Sequence, residues 1–403
     1  MKIVYFTNNY LPYISGVGSS IESFRLELEK RGHRVYIFAP FFKKGAKKNK
    51  DGERIIRYPS IQTNLKTKFP VAIIPAPKIT RLIKQINPDV FHAHHPFWLG
   101  GEALRYAKKF KKPLVFTAHT KFEHYTHYVP FFPAKIMARL LLNKRTSFAN
   151  RCEAIIAPTK GIKEELISEG IKSSIHVMPS GINTVRFKNA EGTKIRRKLG
   201  ILASEKVLLF LGRLEEEKNL DLLVKIIPQI FNKYPLTKFL VVGGGEGKSK
   251  FSKLKKQYPQ RIILTGKVPY QETPNYYKVA DIFLQPSLSE TQGLSTVEAM
   301  VAGLAVVSVN TEVIGDFIKD KKNGLIVSAD ENSFFEAIAS LLDDHKFLLK
   351  LRNNATELSI RVDIENCTNQ LLEVYNKVMG ASQALRQHVT PAEAGVPSKF
   401  RKS

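Results

Sequence analysis

The feature that most constrains this chain is a strand–helix–strand rhythm that runs its course twice. Lys2–Phe6 is an apolar strand pattern, followed by a loop through Ser15-Gly16-Val17-Gly18-Ser19-Ser20. A helical pattern, Ile21–Arg31, closes at Gly32, and a second strand follows at Arg34–Phe38. Such a βαβ unit implies parallel strands. The rhythm continues through Asp89–His92, Leu114–Ala118, Ala154–Ala157 and His176–Met178. After Pro179-Ser180-Gly181-Ile182-Asn183 it restarts, with strands at Val207–Leu211, Phe239–Val242, Ile262–Thr265, Ile282–Gln285 and Val306–Val309 and a helix at Leu220–Tyr234. The expected fold class is therefore α/β, two Rossmann-like doubly wound halves. Ligands of such sheets bind beyond the carboxyl ends of the strands, here in a cleft between the halves.

This reading gives a first domain over 1–183 and a second over 184–364. A helix over 365–380 caps the second half and can cross back to the first, and a tail over 381–403 has no apolar period and reads as disordered. A length of 403 residues suits two domains. Two cysteines, Cys152 and Cys367, exclude a disulfide framework and a multi-cysteine zinc site. The opening MKIVYFTNNY reads as a strand and not as a signal peptide, and no apolar run approaches the roughly 20 residues that span a bilayer. A soluble or surface-bound protein of a reducing cytosol is expected.

The formal charge of +27 is uneven. Residues 1–182 hold 31 Lys and Arg against 12 Asp and Glu, whereas residues 183–403 hold 32 against 24. A basic field of this kind attracts polyanions, either nucleic acid or an anionic lipid surface. A general lysine bias would also raise the total but would not place the excess in the first half. Nucleic acid lacks a recognition motif here, with no zinc-finger spacing and no aromatic RNP-like strand.

Two motifs carry the chemistry. The first is Ser289-Glu290-Thr291-Gln292-Gly293-Leu294-Ser295, with Glu298 eight residues after Glu290. Gly293 lets the backbone pass close to a ligand. The N–H groups of Leu294 and Ser295 at a helix start suit an anion. Glu290 and Glu298 then suit hydroxyls on either side of that anion, although a capping carboxylate and a solvated helix glutamate would show the same spacing. The second motif is Gly212-Arg213-Leu214-Glu215-Glu216-Glu217-Lys218-Asn219, after the first strand of the second half. Arg213 can fork onto a pyrophosphate and Lys218 can meet it as a point charge, or both can pair with Glu215–Glu217. Gly16-Val17-Gly18 is only a fragment of a dinucleotide fingerprint.

Together, in this order, the two motifs resemble glycosyltransferase family 4, over about residues 1–380. The resemblance implies a GT-B fold and retaining transfer of a sugar from a nucleotide sugar. It places Arg213 and Lys218 on the donor diphosphate, Glu298 on the ribose and Glu290 on the transferred sugar. It also places Gly16 on the phosphate side, Gly266-Lys267-Val268 beside the nucleobase and His119 near the anomeric carbon. The stretch His119-Thr120-Lys121-Phe122-Glu123-His124-Tyr125-Thr126-His127-Tyr128 with Glu290-Thr291-Gln292-Gly293-Leu294 resembles more narrowly the bacterial enzymes that glucosylate diacylglycerol. On that resemblance the donor is UDP-glucose and the acceptor a membrane lipid such as 1,2-diacylglycerol, with Tyr125 and His127 on the acceptor side. Asn183, Ala305 and Asp316 depart from the wider family pattern, which bears on sugar identity more than on fold. A soluble or polysaccharide acceptor, or a GDP-mannose donor, fits the same motifs.

Asp-x-Asp, a common metal-holding motif in glycosyltransferases, is absent from the sequence. Arg213, Lys218 and a helix N-terminus would then stabilise the leaving diphosphate, and no metal or other cofactor is expected. For the membrane, Phe131–Arg151 reads as a basic amphipathic helix starting near Pro133. Ile136, Met137, Leu140, Leu141 and Phe148 fall near one face, with Lys135, Arg139, Lys144, Arg145 and Arg151 on its flanks. Such a helix can lie in the headgroup layer on the inner face of the cell membrane, or turn its apolar side to its own sheet.

Overall fold

In the computed structural model the described residues are 1–13, 15–42, 52–62, 70–74, 77–119 and 134–387. They form two parallel sheets. The first has seven strands, in the order Ile55–Tyr58, Arg34–Pro40, Lys2–Phe6, Val90–Ala93, Leu114–Thr117, Ala154–Ala157 and Ser174–Val177. The second has six, in the order Ile262–Gly266, Thr237–Val242, Lys206–Leu211, Ile282–Gln285, Ala305–Val309 and Leu325–Val327. The central strands are buried on both faces, as continuous apolar runs such as Ile3-Val4-Tyr5-Phe6 and Val207-Leu208-Leu209-Phe210 require. Helices cover each face, giving two core clusters per sheet.

In each sheet the chain builds outward on one side of its first strand and then crosses to the other. The switch points lie between Lys2–Phe6 and Val90–Ala93, and between Lys206–Leu211 and Ile282–Gln285. Gly16-Val17-Gly18 follows the strand Lys2–Phe6, Gly212–Asn219 follows Lys206–Leu211 and Ser289–Ser295 follows Ile282–Gln285; Gly266 ends the strand Ile262–Gly266, and His119 follows Leu114–Thr117.

Several elements differ from the sequence reading. The helix expected at Ile21–Arg31 begins at Gly16, because Ser15 is its N-cap and accepts a hydrogen bond from the Gly18 N–H at 3.1 Å. Glycine and serine read as loop by propensity, but a side-chain cap and the packing of Ile21, Phe24 and Leu28 outweigh it. Strands Ile55–Tyr58 and Leu325–Val327 and a short antiparallel pair, Ser60–Gln62 with Pro70–Ala72, were not foreseen. The last helix runs Ile364–Gln387, so residues 381–387, expected as tail, are helical.

That helix packs on the first sheet. Ile364, Cys367, Leu371, Val374, Tyr375 and Val378, spaced at three and four residues, share a cluster with Ile3, Tyr5, Ile21, Phe24 and Leu28. Arg31 fastens it from the first domain, donating to Asn369 Oδ1 at 2.5 Å and to the Glu365 carbonyl at 2.9 Å.

Candidate functional site

The second-domain half of the cleft is built on its switch point. Gly212 and Arg213 follow one strand, and the loop Pro286–Gly293 follows its neighbour. Ser287 and Ser289 hydroxyls both donate to the Glu217 carbonyl, at 3.2 and 3.3 Å, and stitch the two loops together. This brings Lys218 Nζ onto Glu290 Oε1 as a hydrogen-bonded ion pair. Burial alone would raise the Glu290 carboxyl, but Lys218, the Ser287 hydroxyl and Arg213 together hold it below the ordinary range. Arg213 pairs with Glu217 at 2.5 Å and also meets Tyr13 of the first domain. Both cations expected on a diphosphate are thus present, side by side, and each is matched by a carboxylate.

Gly293 sits at φ +70, a backbone geometry that suits glycine, and opens the helix Leu294–Val301. Glu298, one turn on, is buried. Its two oxygens accept from the Tyr270 hydroxyl at 3.0 Å and the Tyr277 hydroxyl at 2.9 Å. Burial raises its pKa, and the two phenols partly offset that. Tyr270 follows Gly266-Lys267-Val268 closely, so its bond ties the expected base-side segment to the expected ribose carboxylate. Lys267 lays its stem over the glycine turn Gly243-Gly244-Gly245, where a Cβ at Gly244 would come within 2.8 Å of it. At Gly243 a Cβ would fall 1.8 Å from the Gly212 carbonyl oxygen, so the turn must be glycine for the loops to close. Neither this turn nor Tyr270 and Tyr277 was foreseen as part of the site. The run of three glycines after an apolar strand was the available signal for the first.

The first-domain half faces it. A Cβ on Gly16 would meet Leu294 Cδ1 at 3.3 Å, so the start of the first helix lies against the start of the donor-side helix. His119 follows the strand Leu114–Thr117, and its Nε2 shares a hydrogen bond with His94 Nδ1 at 3.0 Å. His94 stacks on His92 at 4.3 Å, and His92 in turn bonds the Tyr375 hydroxyl at 2.6 Å and Thr117 Oγ1 at 2.7 Å. Burial, with the like charge of a neighbouring histidine as the smaller cause, lowers His92 and His119 to about 3. His119 is therefore a neutral imidazole that can exchange hydrogen bonds but carries no charge. His92, His94 and Tyr375 were not singled out from sequence, since their partnership spans distant segments.

Among the residues expected on the acceptor and membrane side, Tyr125 and His127 lie outside the described residues. Lys135 lies in the helix Ala134–Ala149, with its side chain outside them. Arg139 and Lys144 are exposed. Arg145 is not available to a membrane: its side chain is 2% exposed and ion-paired with Glu165, at 3.2 Å, and with Glu169. The helical face was also misjudged as uniform. Phe148 and Ala149 pack into the first-domain core, whereas Ile136 and Leu140 are 56% and 48% exposed. The last turns of this helix serve the fold, and its first turns present apolar side chains to solvent beside Arg139. No helix among the described residues is long and apolar enough to cross a membrane.

Two doubly wound sheets whose switch points face each other across a cleft define a two-domain GT-B architecture. Arg213 and Lys218 lie on one side of that cleft and His119 on the other. Comparison with known proteins agrees. Residues 14–186 match the model for Glycosyltransferase Family 4, and residues 191–358 match that for Glycosyl transferases group 1. The chain is 31% identical over 398 residues to the alpha-monoglucosyldiacylglycerol synthase of Acholeplasma laidlawii, covering 94% of this chain and 98% of that one. It is 29% identical to the enzyme of the same name from Streptococcus pneumoniae, covering 93% and 85%. Anabaena HepE, solved in complex with UDP, superposes with a TM-score of 0.73 at 17% identity, over 94% of this chain and all of that one, a likeness of fold. The chain belongs to glycosyltransferase family 4 and is a nucleotide-sugar-dependent hexosyltransferase.

Proposed function

We propose that this enzyme transfers glucose from UDP-glucose, with retention at the anomeric carbon, to the hydroxyl of a membrane lipid such as 1,2-diacylglycerol. The observation that carries the reading is the pairing of Lys218 with Glu290 beside Arg213, opposite His119, in a chain whose full length is similar to glucosyldiacylglycerol synthases. As the bond from the anomeric carbon to the diphosphate breaks, negative charge grows on the leaving oxygen. Arg213, Lys218 and the N–H groups of Leu294 and Ser295 are the groups placed to meet it. The acceptor oxygen attacks from the face the diphosphate leaves, and a phosphate oxygen takes its proton. Glu290 orients the sugar and Glu298 holds the ribose. The deciding assay offers UDP-glucose, UDP-galactose and GDP-mannose, each radiolabelled, to mixed diacylglycerol vesicles and resolves the lipid products. Label entering lipid only from GDP-mannose, or only into water-soluble products, overturns the reading.

On this reading two side chains and a helix start stabilise the leaving charge, and we propose that no divalent cation is required. EDTA is expected to leave the initial rate nearly intact, and a loss that magnesium or manganese restores would contradict this.

The lipid acceptor also calls for a docking surface, which we place on the first turns of the helix Ala134–Ala149, on the inner face of the cell membrane. Ile136 and Leu140 lie four residues apart and exposed, with Arg139 and Lys144 close by. Each cation near an anionic surface contributes on the order of 1 kcal/mol, and the first half of the chain carries the excess of them. Replacing Ile136, Arg139, Leu140 and Lys144 by Ser is expected to weaken co-sedimentation with phosphatidylglycerol vesicles while sparing UDP binding. The difference should be largest at low salt, where charge attraction is least screened. Sedimentation equal to the parent's would place the docking surface elsewhere.

A further inference from the structure

Thr291 and Gln292 stand between Glu290 and Gly293, in the middle of the donor loop, yet both side chains bond to other parts of the chain. The Thr291 hydroxyl donates to the main-chain carbonyl of His119 at 2.8 Å. The Thr291 carbonyl accepts from the Thr159 hydroxyl at 3.4 Å. Gln292 is buried and grips the linker at two points: the Ser180 N–H donates to its Oε1 at 2.8 Å, and its Nε2 donates to the Ser180 carbonyl at 3.2 Å. A side-chain amide here does what a neighbouring strand would do for a buried backbone. Without it both groups of Ser180 would be left unpaired in a buried position.

The consequence centres on His119. Its ring is held from the first domain by His94, and its main chain is held from the second domain by Thr291. The residue next to Thr291 is Glu290, paired with Lys218. The loop therefore meets His119 of the first domain one residue after the glutamate that pairs with Lys218.

We propose that Thr291 and Gln292 are positioning residues that lock the Glu290 loop onto His119 and the Ser180 linker, so that the two halves of the cleft stand in register for transfer. This rests on the reading that transfer takes place between Glu290 and His119. Neither side chain needs to touch the donor. A displacement of even 1 Å between reacting groups can cost up to about 10²-fold in rate, so loosening this lock lowers turnover while leaving nucleotide affinity in place.

The test uses the full chain and three variants: Thr291→Val, which keeps the shape and removes the hydroxyl; Thr291→Ser, which keeps the hydroxyl; and Gln292→Met, which removes both amide contacts. Turnover and donor KM are measured with the donor and acceptor of the transfer assay, UDP affinity by calorimetry, and amide hydrogen exchange over 178–182. Thr291→Val is expected to lower kcat about tenfold, with donor KM and UDP affinity within about twofold of the parent. Thr291→Ser is expected to recover at least half of the lost turnover. Gln292→Met is expected to speed exchange in the Ser180 segment at least tenfold. Parent-like turnover in Thr291→Val, an equal loss in Thr291→Ser, or unchanged exchange in Gln292→Met would each overturn the proposal. If Gln292→Met does not fold, the two Thr291 variants decide it. If the parent itself transfers no sugar, the functional reading fails, and hydrogen exchange over 178–182 in the Gln292 variant still reports whether the lock exists.

Discussion

Arg213→Ala is expected to lower turnover by about 10²-fold or more, in line with the loss of one pre-organised group that stabilises developing charge. Its setting makes the effect specific. Arg213 pairs with Glu217, whose side chain is 5% exposed, and meets Tyr13 across the cleft, so its guanidinium is held by neighbours on both domains. Truncation removes a forked donor from the leaving diphosphate and leaves Glu217 without this partner. The measurement is a steady-state rate on protein whose melting curve matches the parent's. An unchanged rate in the folded variant would remove Arg213 from the donor site.

The second large effect separates the two glutamates. Glu298→Ala is expected to weaken UDP binding by about 10- to 100-fold, since hydrogen bonds to a charged group contribute about 1.5–3 kcal/mol and each 1.4 kcal/mol is a factor of ten. Tyr270 and Tyr277 fix its carboxylate in place, and two oxygens still have lone pairs to spare for ribose hydroxyls. Glu290→Ala should act in the opposite sense on the two observables. It frees Lys218 for the diphosphate, so UDP affinity holds or rises, while turnover falls because the sugar loses its orienting group. Calorimetry with UDP on both variants decides between these roles; equal losses of affinity would show that they are not divided in this way.

The strands that position the site were legible because most carry a short run of apolar residues buried on both faces, such as Ile3–Phe6 and Val207–Phe210. Ile55–Tyr58 and Leu325–Val327 were not. They are the outermost strands of the two sheets at one side, short, and bounded by Arg54 and Pro59 in one case and Gly324 and Ser328 in the other. The charged residues of the site were legible for a different reason: Arg213, Lys218, Glu290 and Glu298 sit close to strand and helix ends whose positions the apolar pattern dictates. What supports them was not, because it comes from distant segments. Tyr375 reaches His92 from the far end of the chain, and Thr291 reaches His119 from the other domain. Arg145 failed for the same reason. Its place on a basic helical flank was read correctly, but Glu165 and Glu169, which fold over it, belong to the next helix and the residue that ends it.

The return of the last helix makes the second domain an insertion within the first. The chain leaves at Ile182 and re-enters at Ile364, and these crossings run side by side: the Ile182 N–H donates to the Val362 carbonyl at 2.8 Å, and the Ile364 N–H donates to the Ile182 carbonyl at 2.9 Å. A Cβ on Gly181 would fall 2.5 Å from Ile364 Cδ1, so the two strands touch with nothing between them. A single tether would let the second domain swing in any direction. Two tethers bonded to each other leave it fewer ways to move than one would. Tied at this double crossing, the second domain presents the donor loop to the first domain from one side, beside the linker that Gln292 grips.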